Sequence, residues 1–213
     1  MSFSTELKQE LSKTENLANK EAVKYELIGY LITSHISEEK TKIKFSTESE
    51  YNINRFSRLL SNNGINNYDI AVQGKVFTIT TSRKNLDTIN TNIDDLNVDQ
   101  IKWVVRGTYL GAGSVNNPEK KYHLEIGISN GDNAQKLVEH LKSYDIKGNI
   151  IEKKKEYAIY FKDGEEIVHK IKIIDSSKRL VEYEVYDIYN TSPNDITCLE
   201  TTNYEIKELT LIT

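Results

Sequence analysis

The chain is 213 residues long, 38% hydrophobic and 28% charged, with a formal net charge of −4. That composition supports a buried core and excludes collagen-like or disulfide-stapled chains. Its single cysteine, Cys198, excludes an intrachain disulfide and a cysteine-based zinc site, and fits a reducing, cytoplasmic setting.

No stretch approaches the ~18–20 apolar residues of a spanning helix. The opening MSFSTELKQELSK is polar and has no apolar leader region. The acidic balance argues against a strongly basic nucleic-acid binder, but a basic patch can sit on an acidic body. Pro118 and Pro193 are the only prolines, so no proline-rich linker divides the chain.

In chain order, Ser4 to Leu11 reads as a short helix, with Leu7 and Leu11 four apart. A helix through KEAVKYELIGYLITS follows, apolar on most sides and therefore buried. HISEEKTKIKFSTES gives two strands around a turn near Glu38 to Thr41, with Ile43 and Phe45 alternating with Lys42 and Lys44. Asn52 to Ser61 is an amphipathic helix ending before Gly64, and DIAVQGKVFTITTS is a hairpin turning at Gln73-Gly74. Asn85 to Asn90 reads as a short helix.

The order then recurs. Asp99 to Leu110 is a buried helix, SVNNPEKKYHLEIGIS two strands around Asn117-Pro118, Asp132 to Ser143 an amphipathic helix, GNIIEKKKEYAIYFK a hairpin, and Gly164 to Ile174 a helix. Gly29 maps onto Gly107 with a shift of 78 residues; Leu60 and Ile65 map onto Leu141 and Ile146 with a shift of 81. The expected architecture is α+β: a tandem αββαββα repeat with two central helices and two antiparallel sheets. Its parts are an N-terminal helical segment (1–20), a first repeat (21–95), a second repeat (96–175) and a C-terminal extension (176–213). Leu180 to Val185 within that extension fits a helix or a strand.

WVVRGTYLGAGSV, Trp103 to Val115, runs a buried helix into Gly111, Gly113 and Ser114 and then into a strand. Gly107 and Gly111 share one helical face and allow another backbone to approach; Gly29 gives the first buried helix the same property. Gly29, Gly107, Gly111 and Gly113 are therefore the expected helix-interface residues.

These features resemble the LAGLIDADG homing-endonuclease scaffold, in which two such helices pack side by side above a saddle of two sheets. The chain is more specifically similar to the N-terminal domain of the WhiA family of sporulation and cell-division regulators. The resemblance rests on MSFSTELKQEL, on RGTYLGAGSVNNPEKKYHLEI (Arg106 to Ile126), on YFKDGEEIV (Tyr160 to Val168) and on ETTN (Glu200 to Asn203). It implies transcriptional control linked to cell division, chromosome segregation or sporulation. It also implies a helix-turn-helix domain beyond this point in the family, whereas this sequence stops at Thr213. A cysteine pair frequent in the family is replaced by Glu21 and Ala22, which leaves no redox or metal role there.

The resemblance also locates the nuclease acids, one at the end of each central helix, where they hold divalent metal ions. Those positions hold Ser34 and Ala112 here, and neither supplies a carboxylate. The expectation is a non-enzyme without a cofactor or metal. His35, His123, His140 and His169 form no HxxxH or HExxH pattern, and GAGS is not a phosphate loop.

For a DNA surface the candidates are Lys40, Lys42, Lys44, Arg83, Lys120, Lys121, Lys147, Lys153, Lys154 and Lys155. Alternating lysines on a strand share a face and suit phosphate contact. The same lysines also fit a solvated strand face or a guarded sheet edge. Expected partners are duplex DNA, bound weakly or with assistance, and a transcription protein such as a sigma factor. The expected setting is cytoplasmic and nucleoid-associated, and the expected state a monomer. The alternatives are a protein-interaction module without DNA affinity and an active endonuclease using displaced acids.

Overall fold

Asparagine and serine open the long helices. Asn19, Ser49, Asn97 and Asn130 each accept a backbone N–H of the first turn, and Asn97 and Gln100 cap each other reciprocally. The computed structural model describes residues 2–13, 16–36, 41–116, 123–144, 146–153 and 156–162. Its helices are α1 (Phe3–Lys13), α2 (Lys20–Thr33), α3 (Glu50–Asn62), α4 (Val98–Ala112) and α5 (Gly131–Lys142). Its strands are β1 (His35–Ile36), β2 (Lys42–Thr47), β3 (Tyr68–Gln73), β4 (Val76–Ser82), β5 (Gly113–Val115), β6 (Leu124–Ile128), β7 (Asn149–Lys153) and β8 (Glu156–Phe161).

The two halves repeat one order, helix–strand–strand–helix–strand–strand. The strands form two antiparallel sheets of identical topology, β1-β2-β4-β3 and β5-β6-β8-β7. The expected repeat and the expected α+β class are both present. The shift of 81 residues appears as a shared hydrogen bond after the amphipathic helices. Ile65 N–H donates to Leu60 O at 3.0 Å, and Ile146 N–H donates to Leu141 O at 3.0 Å. Gly64, just past α3, takes a positive φ of 80°, which a side chain would strain.

One expected element differs. Asn85 to Asn90 is not a helix: a single 3-10 turn spans Arg83–Leu86 and then gives way to turns. Leu86 is buried and anchors the turn, while Asn85 Nδ2 donates to Asn67 O at 2.8 Å and to Thr81 Oγ1 at 3.1 Å. An asparagine side chain that bonds neighbouring strands competes with helix propagation. The expected helix at Gly164 to Ile174 and the whole extension from 176 lie outside the described residues.

The centre of the molecule is the crossing of α2 and α4, where backbones touch. A methyl group on Gly29 would stand 2.7 Å from Gly107 Cα and 2.7 Å from Thr108 N; one on Gly107 would stand 2.9 Å from Gly29 Cα. Gly111 meets a side chain of α2 instead of its backbone: a methyl there would stand 3.2 Å from Thr33 Cβ. Gly113 departs from expectation. It ends α4 and opens β5, and a methyl there would meet Tyr109 of its own helix, 2.7 Å from that Cα, rather than α2.

Around this crossing lies a buried charge cluster. Arg55 of α3 grips Glu26 of α2 with two hydrogen bonds, Nε to Oε1 at 2.8 Å and Nη2 to Oε2 at 2.7 Å. Arg106 of α4 places its Nε 3.6 Å from Glu26 Oε2 and donates from Nη2 to Leu11 O of α1 at 2.6 Å. Asn16 bridges Glu26 and Arg55. All three charged side chains are buried. The cluster therefore fastens α1, α2, α3 and α4 at one point. Next to it, Tyr30 donates to Asn52 Oδ1, and Asn52 Nδ2 donates to Leu110 O at 2.8 Å. Burial, then the Glu26 carboxylate, push the Tyr30 hydroxyl well above the usual tyrosine range, so it stays a donor. Tyr30, Phe45 and Phe56 stack mutually at 4.9–5.2 Å, joining α2, β2 and α3.

Candidate nucleic-acid interface

Each sheet is covered by helices on one face. On β2 the burial alternates: Ile43 and Phe45 go inward, while Lys42, Lys44 and Ser46 point outward. Register carries that outer face across the sheet. Lys42 lies opposite Ser82, Lys44 opposite Thr80 and Ser46 opposite Thr78. On β3, Asp69 then faces Thr80 and Ala71 faces Thr78. The Ser46 and Thr78 hydroxyls bond at 3.0 Å. The face is thus two exposed lysines beside a ladder of small hydroxyls, groups suited to phosphate oxygens, with the exposed Asp69 carboxylate at its edge strand. Arg83 is exposed where the chain leaves β4, and its N–H donates to Thr41 O at 2.8 Å, beside the start of β2.

The second sheet presents a different outer face. Leu124, Ile126 and Ile128 of β6 go inward, so Glu125 and Gly127 face out. Register puts Ser114 and Tyr160 beside Glu125, and Ala158 beside Gly127. Lys153 hydrogen-bonds Glu125 Oε1, and His123 Nε2 lies 3.7 Å from Glu125 Oε2. Lys147 is exposed ahead of β7. Lys40, Lys120, Lys121, Lys154 and Lys155 lie outside the described residues. The structure thus brings Lys42, Lys44 and Arg83 to one sheet and sets Lys153 against a carboxylate on the other.

Lys75 was not among the expected cations. It is exposed at the tip of the β3–β4 hairpin, beside Gly74 with φ of 61°. The Gly-Lys pair at an expected hairpin turn was the available signal.

At the helix ends, Ser34 caps α2 and Ala112 is the last residue of α4. Ser34 is buried and its Oγ donates to Tyr30 O at 2.7 Å, so the hydroxyl is used within its own helix. A methyl on Gly127 would stand 3.4 Å from Ala112 Cβ, which places Ala112 against the outer face of the second sheet. A hydroxyl and a methyl do not provide the carboxylate oxygens that a nuclease magnesium site takes. Glu26, the acid inside α2, is bound to Arg55 and buried. Among the described residues no three His, Cys, Asp or Glu side chains are grouped to hold a metal ion.

Residues 101–191 match the family model of the WhiA LAGLIDADG-like domain. Over that segment the chain resembles the WhiA LAGLIDADG-like domain. It is 29% identical to a probable cell division protein WhiA of Clostridium novyi, over 92% of this chain and 71% of that protein. It is 39% identical to the one of Clostridium acetobutylicum over 45% of this chain; that alignment covers 30% of the relative. Among solved structures it is similar to full-length DUF199/WhiA from Thermatoga maritima, with a TM-score of 0.76 at 23% identity, over 100% of this chain and 74% of that one. The N-terminal LAGLIDADG domain of DUF199/WhiA gives 0.75 at 24% identity, over 87% of this chain and 96% of that one. I-DmoI, in complex with DNA and Mn, gives 0.54 at 13% identity, over 75% of this chain and 99% of that one. The shared fold is that of the LAGLIDADG homing endonucleases, and the WhiA structures extend the likeness across both repeats. Among the described residues no helix is long and apolar enough to cross a membrane.

Proposed function

We propose that this WhiA-type domain is a regulatory, non-catalytic DNA-holding body that acts in transcriptional control linked to cell division, chromosome segregation or sporulation. The observation that carries the reading is the combination of Ser34 and Ala112 at the helix ends with Lys42 and Lys44 on an open, hydroxyl-rich sheet face. I-DmoI, a fold relative, was crystallised with DNA. Here the face that suits phosphate is kept, while the acids that would hold cleaving metal ions are replaced. The setting consistent with this role is the cytoplasm, at the nucleoid.

The test is fluorescence anisotropy of a labelled duplex titrated with the chain at rising salt, with and without Mg²⁺, followed by a gel. The expected result is salt-sensitive binding and intact DNA under every condition. Magnesium-dependent nicking would overturn the non-catalytic reading.

A second reading, a surface for a transcription protein such as a sigma factor, is favoured by one observation. Ile70 and Val72, on the edge strand β3, are 55% and 61% exposed. An apolar pair on an unpaired edge suits strand addition by a protein segment. If that reading is correct, Ile70→Lys and Val72→Lys abolish partner capture and leave duplex binding intact.

A further inference from the structure

We infer that Glu125 is a built-in counter-charge that silences the second sheet toward phosphate, so that the domain grips duplex DNA on one side, through the first repeat. The inference rests on the DNA-holding reading and deepens it. Three observations support it.

The first is the pairing of Glu125. Its carboxylate faces out on β6, hydrogen-bonds Lys153 through Oε1, and has His123 Nε2 3.7 Å from Oε2. The second is the path of Lys153. Register sets Glu125 opposite Tyr160 and Lys153 opposite Glu156, so the lysine stem crosses β8 diagonally over the residue between them, Ala158. Ala158, on the outer face of the central strand β8, is 2% exposed. The Lys153 ammonium is therefore held at Glu125, two strands away, although its side chain is half exposed. The third is the contrast with the first sheet. There Lys44 stands exposed beside hydroxyls, and the carboxylate on that face, Asp69, lies one strand further on, beyond Thr80, with no ion pair to Lys44.

A phosphate approaching the second sheet therefore meets Glu125, with exposed Glu156 on the same face, and it must displace Glu125 from Lys153 before that lysine can bind it. An exposed pair of this kind is weak in water. The anion's larger effect is repulsion, together with one fewer available cation. Like charges facing each other at an interface oppose association and set which partners are accepted.

The test is a salt-series anisotropy titration of the full chain and four variants: Glu125→Gln, Lys153→Gln, the double variant, and Lys42→Gln as reference. Neutralising one phosphate changes the slope of log affinity against log salt by about 0.9 for duplex DNA. Glu125→Gln is expected to steepen the slope by about one unit and tighten low-salt binding several-fold. Lys153→Gln alone is expected to shift affinity by less than about twofold, because that lysine is already occupied. In the double variant the added slope disappears, because the freed lysine is gone, while the tightening that comes from lost repulsion remains. Lys42→Gln is expected to lose about one unit of slope. Thermal melts check that each variant folds; a substitution at a pair this exposed is expected to leave the melting temperature close to the parent's.

If the parent chain binds and Glu125→Gln leaves slope and affinity unchanged, the counter-charge is wrong and the DNA reading stands. The counter-charge is equally wrong if Lys153→Gln alone costs as much as Lys42→Gln. If the parent chain does not bind but Glu125→Gln does, the counter-charge is upheld. If neither binds at low salt, the DNA reading itself falls, and the counter-charge with it.

Discussion

Glu26 is the residue on which most of the interior polar structure turns. It sits in a helix that is otherwise apolar on nearly every side, and Arg106 sits in the same situation in α4. Opposite charges inside two helices that read as buried were a signal in the sequence that the two meet, and the signal was not used. The third member, Arg55, gave less warning because α3 is amphipathic and its arginine could have pointed outward. Replacing a whole buried ion pair with packed apolar groups is often neutral, but removing one partner leaves an uncompensated charge and costs about 3–5 kcal/mol. Here two buried guanidinium groups share one carboxylate. Glu26→Gln is therefore expected to destabilise the fold by at least about 3 kcal/mol. For a domain of this size that lowers the melting temperature by roughly 6–12 °C, read in a thermal melt. An unchanged melt would show that the cluster is not structural.

At the scale of elements, the repeat was readable because apolar periodicity and the spacing of glycines depend on local sequence. The two buried helices, the amphipathic helices and the hairpins all stand near their expected places. The misplaced element, Asn85 to Asn90, opens on an asparagine whose side chain bonds distant backbone, and periodicity carries no information about such a contact. Gly113 was misassigned for a similar reason. Spacing along a helix does not reveal that the chain has already left the helix and is packing back on Tyr109. The glycines that do form the crossing make a sharp prediction. Gly107→Ala pushes a methyl into the Gly29 backbone, which cannot rotate away, and is expected to cost about 2–3 kcal/mol in urea unfolding, the upper part of the range for overpacking. Gly127→Ala, whose added methyl meets Ala112 at 3.4 Å, is expected to stay within ~1 kcal/mol of the parent. Equal effects at the two positions would contradict the close crossing of α2 and α4.

Across the whole molecule, two sheets of one topology have been given different outer faces. The first carries lysines and hydroxyls with Asp69 at its edge, and the second carries a lysine hydrogen-bonded to a glutamate. Alternation in the sequence placed Lys42 and Lys44 on one face, since strand period alone fixes that. The capture of Lys153 was not readable, because it depends on a diagonal across two strands whose register only the structure supplies. The acid positions at the helix ends were readable only through the family resemblance. Their replacement by Ser34 and Ala112 is what separates holding DNA from cutting it in this account.

The most direct test is the salt dependence of duplex binding by the parent chain and by a Lys42→Glu, Lys44→Glu double variant. The account predicts a slope of at least about two units for the parent, at about 0.9 per neutralised phosphate, and its near-complete loss in the variant, with the DNA intact on a gel throughout. Equal slopes for the two proteins, or cleaved DNA, would contradict it.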